Sequence, residues 1–259
     1  MTVHPVTLSG EFEEVIVFPL SDLHIGSVEY DAKLFSRYIK HILSEPNRFC
    51  FLNGDLIDNA LKSSCSDTYK ATMGPREQIL EAVITLKPLV EADRLWGILG
   101  GNHENRTDKE SGISPAETIA DKLGVPYFGT QVLFKIRFGK NKHSRNAYYT
   151  IYSTHGIGGG RLKGGKINAM DRMKNIVIAD CYCMGHTHSQ IVTASTVYIP
   201  DQKRDIINAK DMYFVNSGSF LDRGEGYAAQ FMFEAQPLGC PSITLDAYER
   251  KIKVVMGDL

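Results

Sequence analysis

Asp22 and His24, Asp55, Asn102 and His103, His155, and His186 and His188 each follow a short apolar run that reads as a buried strand. Carboxylate, imidazole and carboxamide oxygen are the donors that hard and borderline divalent cations take, and a site for two such cations also needs a carboxylate able to bridge them. This set supplies all three. In the stretch Asp22-x-His24 leaving a strand, alternation places both side chains on one side of the backbone, and the same holds for His186 and His188. A lone histidine is usually a satisfied core or surface side chain; ligand types recurring at one strand end after another are poorly explained that way.

The elements that must position these residues are legible in the hydrophobic pattern. Glu14–Leu20 is apolar and reads as the first strand. Asp31 is placed to cap a helix running to Ser44, with Leu34, Phe35, Tyr38, Ile39 and Ile42 at helical spacing and Pro46 closing it. A second buried strand over 48–52 delivers Gly54-Asp55-Leu56-Ile57-Asp58. Pro75 opens a helix expected to pack Ile79, Leu80, Val83, Ile84 and Leu86 on one face and to kink or end at Pro88. Leu95–Leu99 then runs into Gly100-Gly101-Asn102-His103-Glu104.

Beyond residue 130 the texture changes. A hairpin is predicted from 132–138 and 147–153, a helix near 166–174, a strand over 179–184, and further strands over 212–215, 230–233 and a final pair within 243–256. The order β-α-β-α-β followed by a mostly antiparallel half predicts an α/β fold, two stacked sheets flanked by helices, in a single domain spanning 1–259.

Taken together, Asp22-x-His24, Gly54-Asp55-x-x-Asp58, Gly101-Asn102-His103-Glu104, Thr154-His155-Gly156 and Gly185-His186-x-His188 resemble, in order, the signature of the calcineurin-like metallophosphoesterase superfamily. Asn216-Ser217-Gly218-Ser219 resembles its asparagine-x-glycine-serine segment, and the chain is also similar to uncharacterised phage and prophage members. The resemblance implies a four-layer α/β/β/α sandwich of two mixed sheets. It implies that Asp22, His24, Asp55 and His188 hold one metal and that Asp55, Asn102, His155 and His186 hold the other, with Asp55 bridging. It further implies His103 as general acid, oriented and charged by Asp58, and a hydroxide generated from water between the two cations. Manganese is the expected metal, with iron, zinc, nickel and magnesium as alternatives.

A phosphate ester is therefore the expected substrate. Protein phosphatases of this superfamily read glycine-aspartate-x-x-aspartate-arginine and arginine-glycine-asparagine-histidine-glutamate; this chain has Asn59 and Gly100 at the two arginine positions. Without those guanidinium clamps on a phosphate dianion, a phosphodiester, with DNA or RNA as its form, is favoured over a monoester. A phosphomonoesterase acting on protein or small molecules is the alternative. A non-catalytic binding scaffold is the remote one, since it would have lost ligands and none is lost. Gly160-Arg161-Leu162-Lys163-Gly164-Gly165-Lys166 has the spacing of a nucleotide-binding P-loop but ends on Ile167, where that motif needs Ser or Thr. It reads better as a basic flap offering Arg161, Lys163 and Lys166 to substrate phosphates, with Arg106 as a further substrate contact. Lys135, Arg137, Lys140, Lys142, His143 and Arg145 form a second basic cluster across the predicted hairpin, of a kind that is usually solvated surface.

Composition sets the remaining bounds. The 259 residues are 43% hydrophobic and 23% charged, which supports a large core. The formal net charge of -1 removes any global attraction for nucleic acid, so a polyanion must be caught locally. Five scattered cysteines do not form a disulfide framework, and Cys181 and Cys183 read as core. No run approaches membrane-spanning length, so the expected setting is cytoplasmic, without membrane partners and with a homodimer as one open arrangement.

Overall fold

The computed structural model describes residues 1–61, 71–158, 162–222 and 236–257. Among the described residues, eleven strands and five α-helices follow in the order β1 (Thr2–Thr7), β2 (Glu14–Leu20), α1 (Ala32–Leu43), β3 (Arg48–Asn53), α2 (Pro75–Glu91), β4 (Leu95–Leu99), α3 (Glu104–Ser111), α4 (Pro115–Leu123), β5 (Gln131–Phe138), β6 (Ala147–Thr154), α5 (Lys163–Asp171), β7 (Cys181–Met184), β8 (Gln190–Pro200), β9 (Ile207–Ser217), β10 (Ser242–Asp246) and β11 (Ile252–Val255). A turn of 3₁₀ helix, Arg172–Asn175, extends α5. Among the described residues, no helix is long and apolar enough to cross a membrane.

The strands form two mixed sheets, one ordered β1-β5-β6-β7-β9-β8 and the other β11-β10-β2-β3-β4. Strands β2, β3 and β4 run parallel, as do β6, β7 and β9, so both sheets send the carboxyl ends of their central strands toward one edge. Ligands of open α/β sheets collect beyond such ends. The inner faces meet over a core in which Phe134 lies between Phe51, Trp96 and Phe128, with ring centroids 4.8, 5.5 and 5.5 Å away. A second cluster fills the space between β2–β4 and helices α1, α2 and α4, and a third lies between α5 and the outer face of β6, β7 and β9. These layers are the α/β/β/α arrangement that the resemblance implied. Cys181 and Cys183 are buried between the sheets, as expected of core residues.

Several local expectations are corrected. The first strand is β1, ahead of Glu14. Its single fully buried residue, Val6, gives no apolar run, and Pro5 is tolerated because β1 is an edge strand pairing only with β5. Helix α2 continues through Pro88 to Glu91 and buries Gln78, Ala82, Leu86 and Leu89, leaving Leu80 43% and Ile84 66% exposed. Those two residues lie about 200° round the helix from Ala82 and Leu86, so they cannot share the buried face. Helix α5 begins at Lys163, three residues before the predicted start. The strand expected over 230–233 lies outside the described residues.

Helices α3 and α4 lie between the elements that the hydrophobic pattern predicts. Only Glu104 of α3 is buried, so it carries no apolar periodicity, whereas α4 did show a start signal, with Ser114 accepting from the Glu117 amide and Pro115 at its first position.

Because Phe134 is fully buried at the aromatic centre of the inter-sheet core, Phe134→Ala is expected to destabilise the fold by about 3–5 kcal/mol. Urea unfolding followed by the fluorescence of Trp96, the sole tryptophan, checks this directly. A loss under about 1 kcal/mol would mean that the two sheets do not depend on this cluster.

Candidate metal centre

The ligand-type residues converge. One group of donor atoms comes from Asp22, His24, Asp55 and His188, a second from Asp55, His155 and His186, and a third from His24, Asp58 and His103, the atoms of each lying within 4.8 Å of one another. Asn102 joins the second group, its Oδ1 standing 3.0 Å from His155 Nε2 and 2.7 Å from His186 Nδ1. Asp55 is common to the first two, with its Oδ2 3.2 Å from His155 Nε2 and 3.9 Å from His24 Nε2.

The convergence is not by strand alternation. Asp22, His24, Asp55, His186 and His188 all have left-handed backbones, with φ of 55°, 50°, 52°, 67° and 52°. Each side chain is thus turned inward by its own residue's conformation, which Asp and His tolerate better than most residues. Glycines make the close approach possible. A Cβ on Gly54 would come within 2.6 Å of His155 Nδ1, and one on Gly101 would collide with the Asp55 carboxylate.

Hydrogen bonds decide which atom of each ligand faces the centre. Asp22 Oδ2 accepts from Ser21 Oγ at 2.5 Å and from the His186 amide at 3.0 Å, leaving Oδ1 inward. Asp55 Oδ1 accepts from the His103 amide at 2.9 Å, leaving Oδ2. His155 Nδ1 lies 2.7 Å from the Asn53 carbonyl, so it carries the proton there and presents Nε2. Asp22 Oδ1 is buried and receives no aligned donor, although His188 Nε2 is only 3.0 Å away, and His24 Nε2 and His188 Nε2 stand 3.1 Å apart. A buried carboxylate oxygen with two imidazole nitrogens drawn together beside it fits a cation. Donors about 2.1 Å from an octahedral ion and at right angles to one another are themselves about 3 Å apart.

The electrostatics agree with that fit. Burial, followed by the neighbouring His103 and His188, holds His24 well below the usual histidine range, and burial with His155 also lowers His186, so both present neutral imidazoles. Burial alone would raise Asp55, but His155 and His103 outweigh it and hold the carboxyl well below its usual range. His155 responds oppositely: burial pulls it down, yet Asp55 and then Asp22 push it up to about 10. The carboxylates thus retain a proton on His155 at neutral pH.

Supporting groups lock this geometry. The buried Glu104 carboxylate accepts from the amides of Asp55 (3.1 Å), Leu56 (2.7 Å), Ile57 (3.1 Å) and Gly101 (2.9 Å), tying the loops that carry Asp55 and Asn102 to one anion. By its place after the histidine block, Glu104 can be read as a substrate contact, as support behind the metal ligands or as half of an ion pair; its bonds to the ligand-bearing loops are those of support behind the ligands. Its signal, and that of Ser21 and Asn53, is only that each is a polar residue at a strand end.

The other sequence-predicted site residues divide. His103 is beside the centre, with Nε2 3.9 Å from Asp55 Oδ2. Its Nδ1 lies 2.6 Å from the Asp58 backbone carbonyl, whereas the Asp58 carboxylate is 3.7 Å away, so main chain rather than side chain orients the ring. Arg106 Nη2 is 3.0 Å from His103 Nε2. Asn59, at one missing-arginine position, donates from Nδ2 to the His103 carbonyl at 2.6 Å. Lys163 is exposed at the start of α5. Lys166 differs from its expected role. It is buried, and its ammonium donates to Ser189 Oγ and, at 3.4 Å, to the Thr187 carbonyl, which pins the loop bearing His186 and His188 rather than meeting solvent. Asn216 braces that loop from its other side through Thr187 Oγ1. Gly160 and Arg161 lie outside the described residues.

The fold and this centre are those of a two-sheet α/β protein built to hold divalent cations, and the motifs that resemble the metallophosphoesterases are the ones that meet in it. No protein-family model matches the chain, and no curated protein matches it. Among solved structures it is similar to a predicted phosphoesterase from Streptococcus pneumoniae TIGR4, at 12% identity over 95% of this chain and 99% of that one, with a TM-score of 0.39. It is similar to Vps29 complexed with zinc from Entamoeba histolytica, at 12% identity over 94% and 99% and a TM-score of 0.43. It is similar to a metallophosphoesterase from Sphaerobacter thermophilus, at 10% identity over 95% and 88% and a TM-score of 0.38.

Since His155 keeps its proton up to about pH 10 while His24 and His186 are already neutral, metal uptake at the second group must displace that proton. Apparent affinity for Mn²⁺ or Zn²⁺ is expected to rise with pH, by up to about tenfold per unit through the neutral range. Calorimetry in buffers of differing ionisation enthalpy should find a proton released on binding, and no release would contradict the assignment of His155.

Proposed function

We propose that the protein is a dinuclear metal-dependent phosphoesterase that cleaves phosphodiesters, with nucleic acid as substrate. The observation that carries this reading is the pair of ligand groups sharing Asp55, with His103 standing beside the shared carboxylate. Asp22, His24, Asp55 and His188 would hold one cation and Asp55, Asn102, His155 and His186 the other. A bound cation pair supplies neutralisation of the phosphoryl oxygens and a more acidic water for in-line attack. The donor set of imidazole, carboxylate and one carboxamide suits manganese, with zinc or iron as alternatives.

The chain's own residues supply the rest. His103 is held by the Asp58 carbonyl with Nε2 toward the centre; with Arg106 turned to a substrate phosphate and Nε2 having taken up a proton, it could pass that proton to the departing alkoxide. Arg106, against that same nitrogen, is a guanidinium beside the centre that could meet a phosphate oxygen. The absence of arginine at positions 59 and 100 supports a diester monoanion over a monoester dianion, and Asn59 is committed to bracing the His103 loop. The phosphomonoesterase reading keeps one observation in its favour, the proximity of Arg106. The described cysteines, Cys50, Cys181, Cys183 and Cys240, are free and buried, which supports a cytoplasmic setting.

With manganese, the purified protein is expected to hydrolyse bis-p-nitrophenyl phosphate faster than p-nitrophenyl phosphate and to cleave oligonucleotides. A clear preference for the monoester, with every oligonucleotide left intact, would select the phosphatase alternative.

His103→Ala should keep its metal and lose about 10²–10⁴ in kcat on an unactivated alkyl ester, and much less on a nitrophenyl ester whose leaving group needs no proton. Equal losses on both esters would show that His103 is not the acid.

A further inference from the structure

In a four-layer sandwich each sheet covers one face with helices, but the β1-β5-β6-β7-β9-β8 sheet is covered over only part of its width. Helix α5 and its 3₁₀ extension seat Met170 and Met173 on Tyr152, Tyr182, Met212 and Phe214, which lie on the outer face of β6, β7 and β9. Of β5 only Leu133 packs against this cluster, and no residue of β1 or of the first half of β6 belongs to it. Lys135 and Arg137 project from the exposed face of β5, opposite Thr150 and Tyr148 of β6, and Tyr148 is 51% exposed. Residues directly opposite in an antiparallel pair share a face, so Arg137 and Tyr148 stand side by side on it.

The charge on this face continues past the sheet. The β5–β6 turn carries Lys142 and Arg145 and no carboxylate, and it is joined to the β10–β11 turn by the Lys142 amide donating to the Tyr248 carbonyl at 3.4 Å. Arg250 of that second turn donates from Nε to the Tyr148 carbonyl at 3.1 Å. The carboxylate within the strip, Asp180, is matched by Lys210 at 2.7 Å and by Arg250 at 3.9 Å and is bonded to Thr150, so the cations left for phosphates are Lys135, Arg137, Lys142 and Arg145. Glu249 in the second turn, and Glu11 and Glu13 between β1 and β2, bound the strip at its end.

We propose that this uncovered sheet face is a binding surface for single-stranded nucleic acid, separate from the metal centre. It deepens the nucleic-acid reading above and rests on it for the choice of polyanion. Lys135, Arg137 and the turn cations would meet phosphates, and Tyr148 offers a ring on which a base can stack, the combination by which single strands are held without sequence preference. Tyr148 stands about 20 Å from His155 along β6, so the face would anchor a strand at a distance and act on how tightly long substrates bind, leaving chemistry at the centre unchanged. A protein of net charge -1 must catch a polyanion on such a local strip.

The test uses the manganese-loaded protein and a fluorescent, phosphorothioate-linked single strand of about 20 nucleotides, longer than the roughly 4–16 that one binding fold covers. Lys135→Glu/Arg137→Glu is expected to raise Kd at least about tenfold. The milder Lys135→Gln/Arg137→Gln should lower the slope of log K against log salt by about 1.4, the change expected when two phosphates of a single strand are no longer neutralised. Tyr148→Ala should raise Kd for the strand roughly tenfold and leave heparin, a polyanion without bases, unaffected. Turnover of bis-p-nitrophenyl phosphate should stay at the wild-type value throughout, which also shows that the variants are folded. Unchanged strand affinity in the charge variants, or equal losses for strand and heparin in Tyr148→Ala, would overturn the proposal. Turnover without strand binding would sink this surface and leave the phosphoesterase reading standing. Strand binding that responds to the variants, with no ester hydrolysed, would do the reverse.

Discussion

Asp55 is a carboxylate with about 1% of its surface exposed, and the surrounding architecture answers the cost of desolvating it. A buried carboxylate survives only with cations or donors at hand. Here its inner oxygen meets three imidazoles while its outer oxygen accepts a backbone amide. Its loop is held by Glu104, a second buried anion whose carboxyl burial and the nearby Asp55 push up to about 7. Two adjacent buried acids are tolerable because Glu104 spends its lone pairs on four main-chain amides. It therefore acts as a connector between the β3 and β4 loops rather than as a ligand.

That constraint accounts for the strained backbone. Residues held left-handed cost of order 1–3 kcal/mol each and persist only where the surroundings over-determine them. The loops after β2, β3 and β7 each contain such residues at candidate ligand positions, and each is gripped by hydrogen bonds from a segment distant in sequence: the His186 amide on Asp22, Glu104 on the Asp55 loop, Lys166 of α5 and Asn216 of β9 on the Thr187 loop. The elements that could slide past one another are thereby tied across the top of both sheets, so the site is preorganised by contacts between its loops.

The two sheets serve different ends. The sheet containing β2, β3 and β4 packs those three strands against helices α1, α2 and α4 through a mainly aliphatic and aromatic core. The other sheet reserves helical cover for the half nearest the histidine loops, where α5 also supplies Lys166. Among the described residues, the outer face of β5 beyond Leu133 carries the cations Lys135 and Arg137 where a covered face would need apolar side chains.

The residues that converge were legible in the chain because their type and place need only local information: a polar side chain able to bind a metal at the end of an apolar run. The order of the blocks, the central strands, α1 and the two-sheet architecture followed from the same periodicity. What tertiary structure alone decided involves partners far apart in sequence. Strand β1 exists because β5 offers an edge. Helix α3 exists because Glu104 finds amides 47–49 residues away. Lys166, which reads as part of a flexible basic flap, turns inward because Ser189 and Thr187 lie 23 and 21 residues on. Alternation predicts that Asp22 with His24 and His186 with His188 each face one way. They do converge, but through left-handed turns that no period describes, since their conformation is set by the hydrogen bonds of neighbouring loops and not by the residues between them.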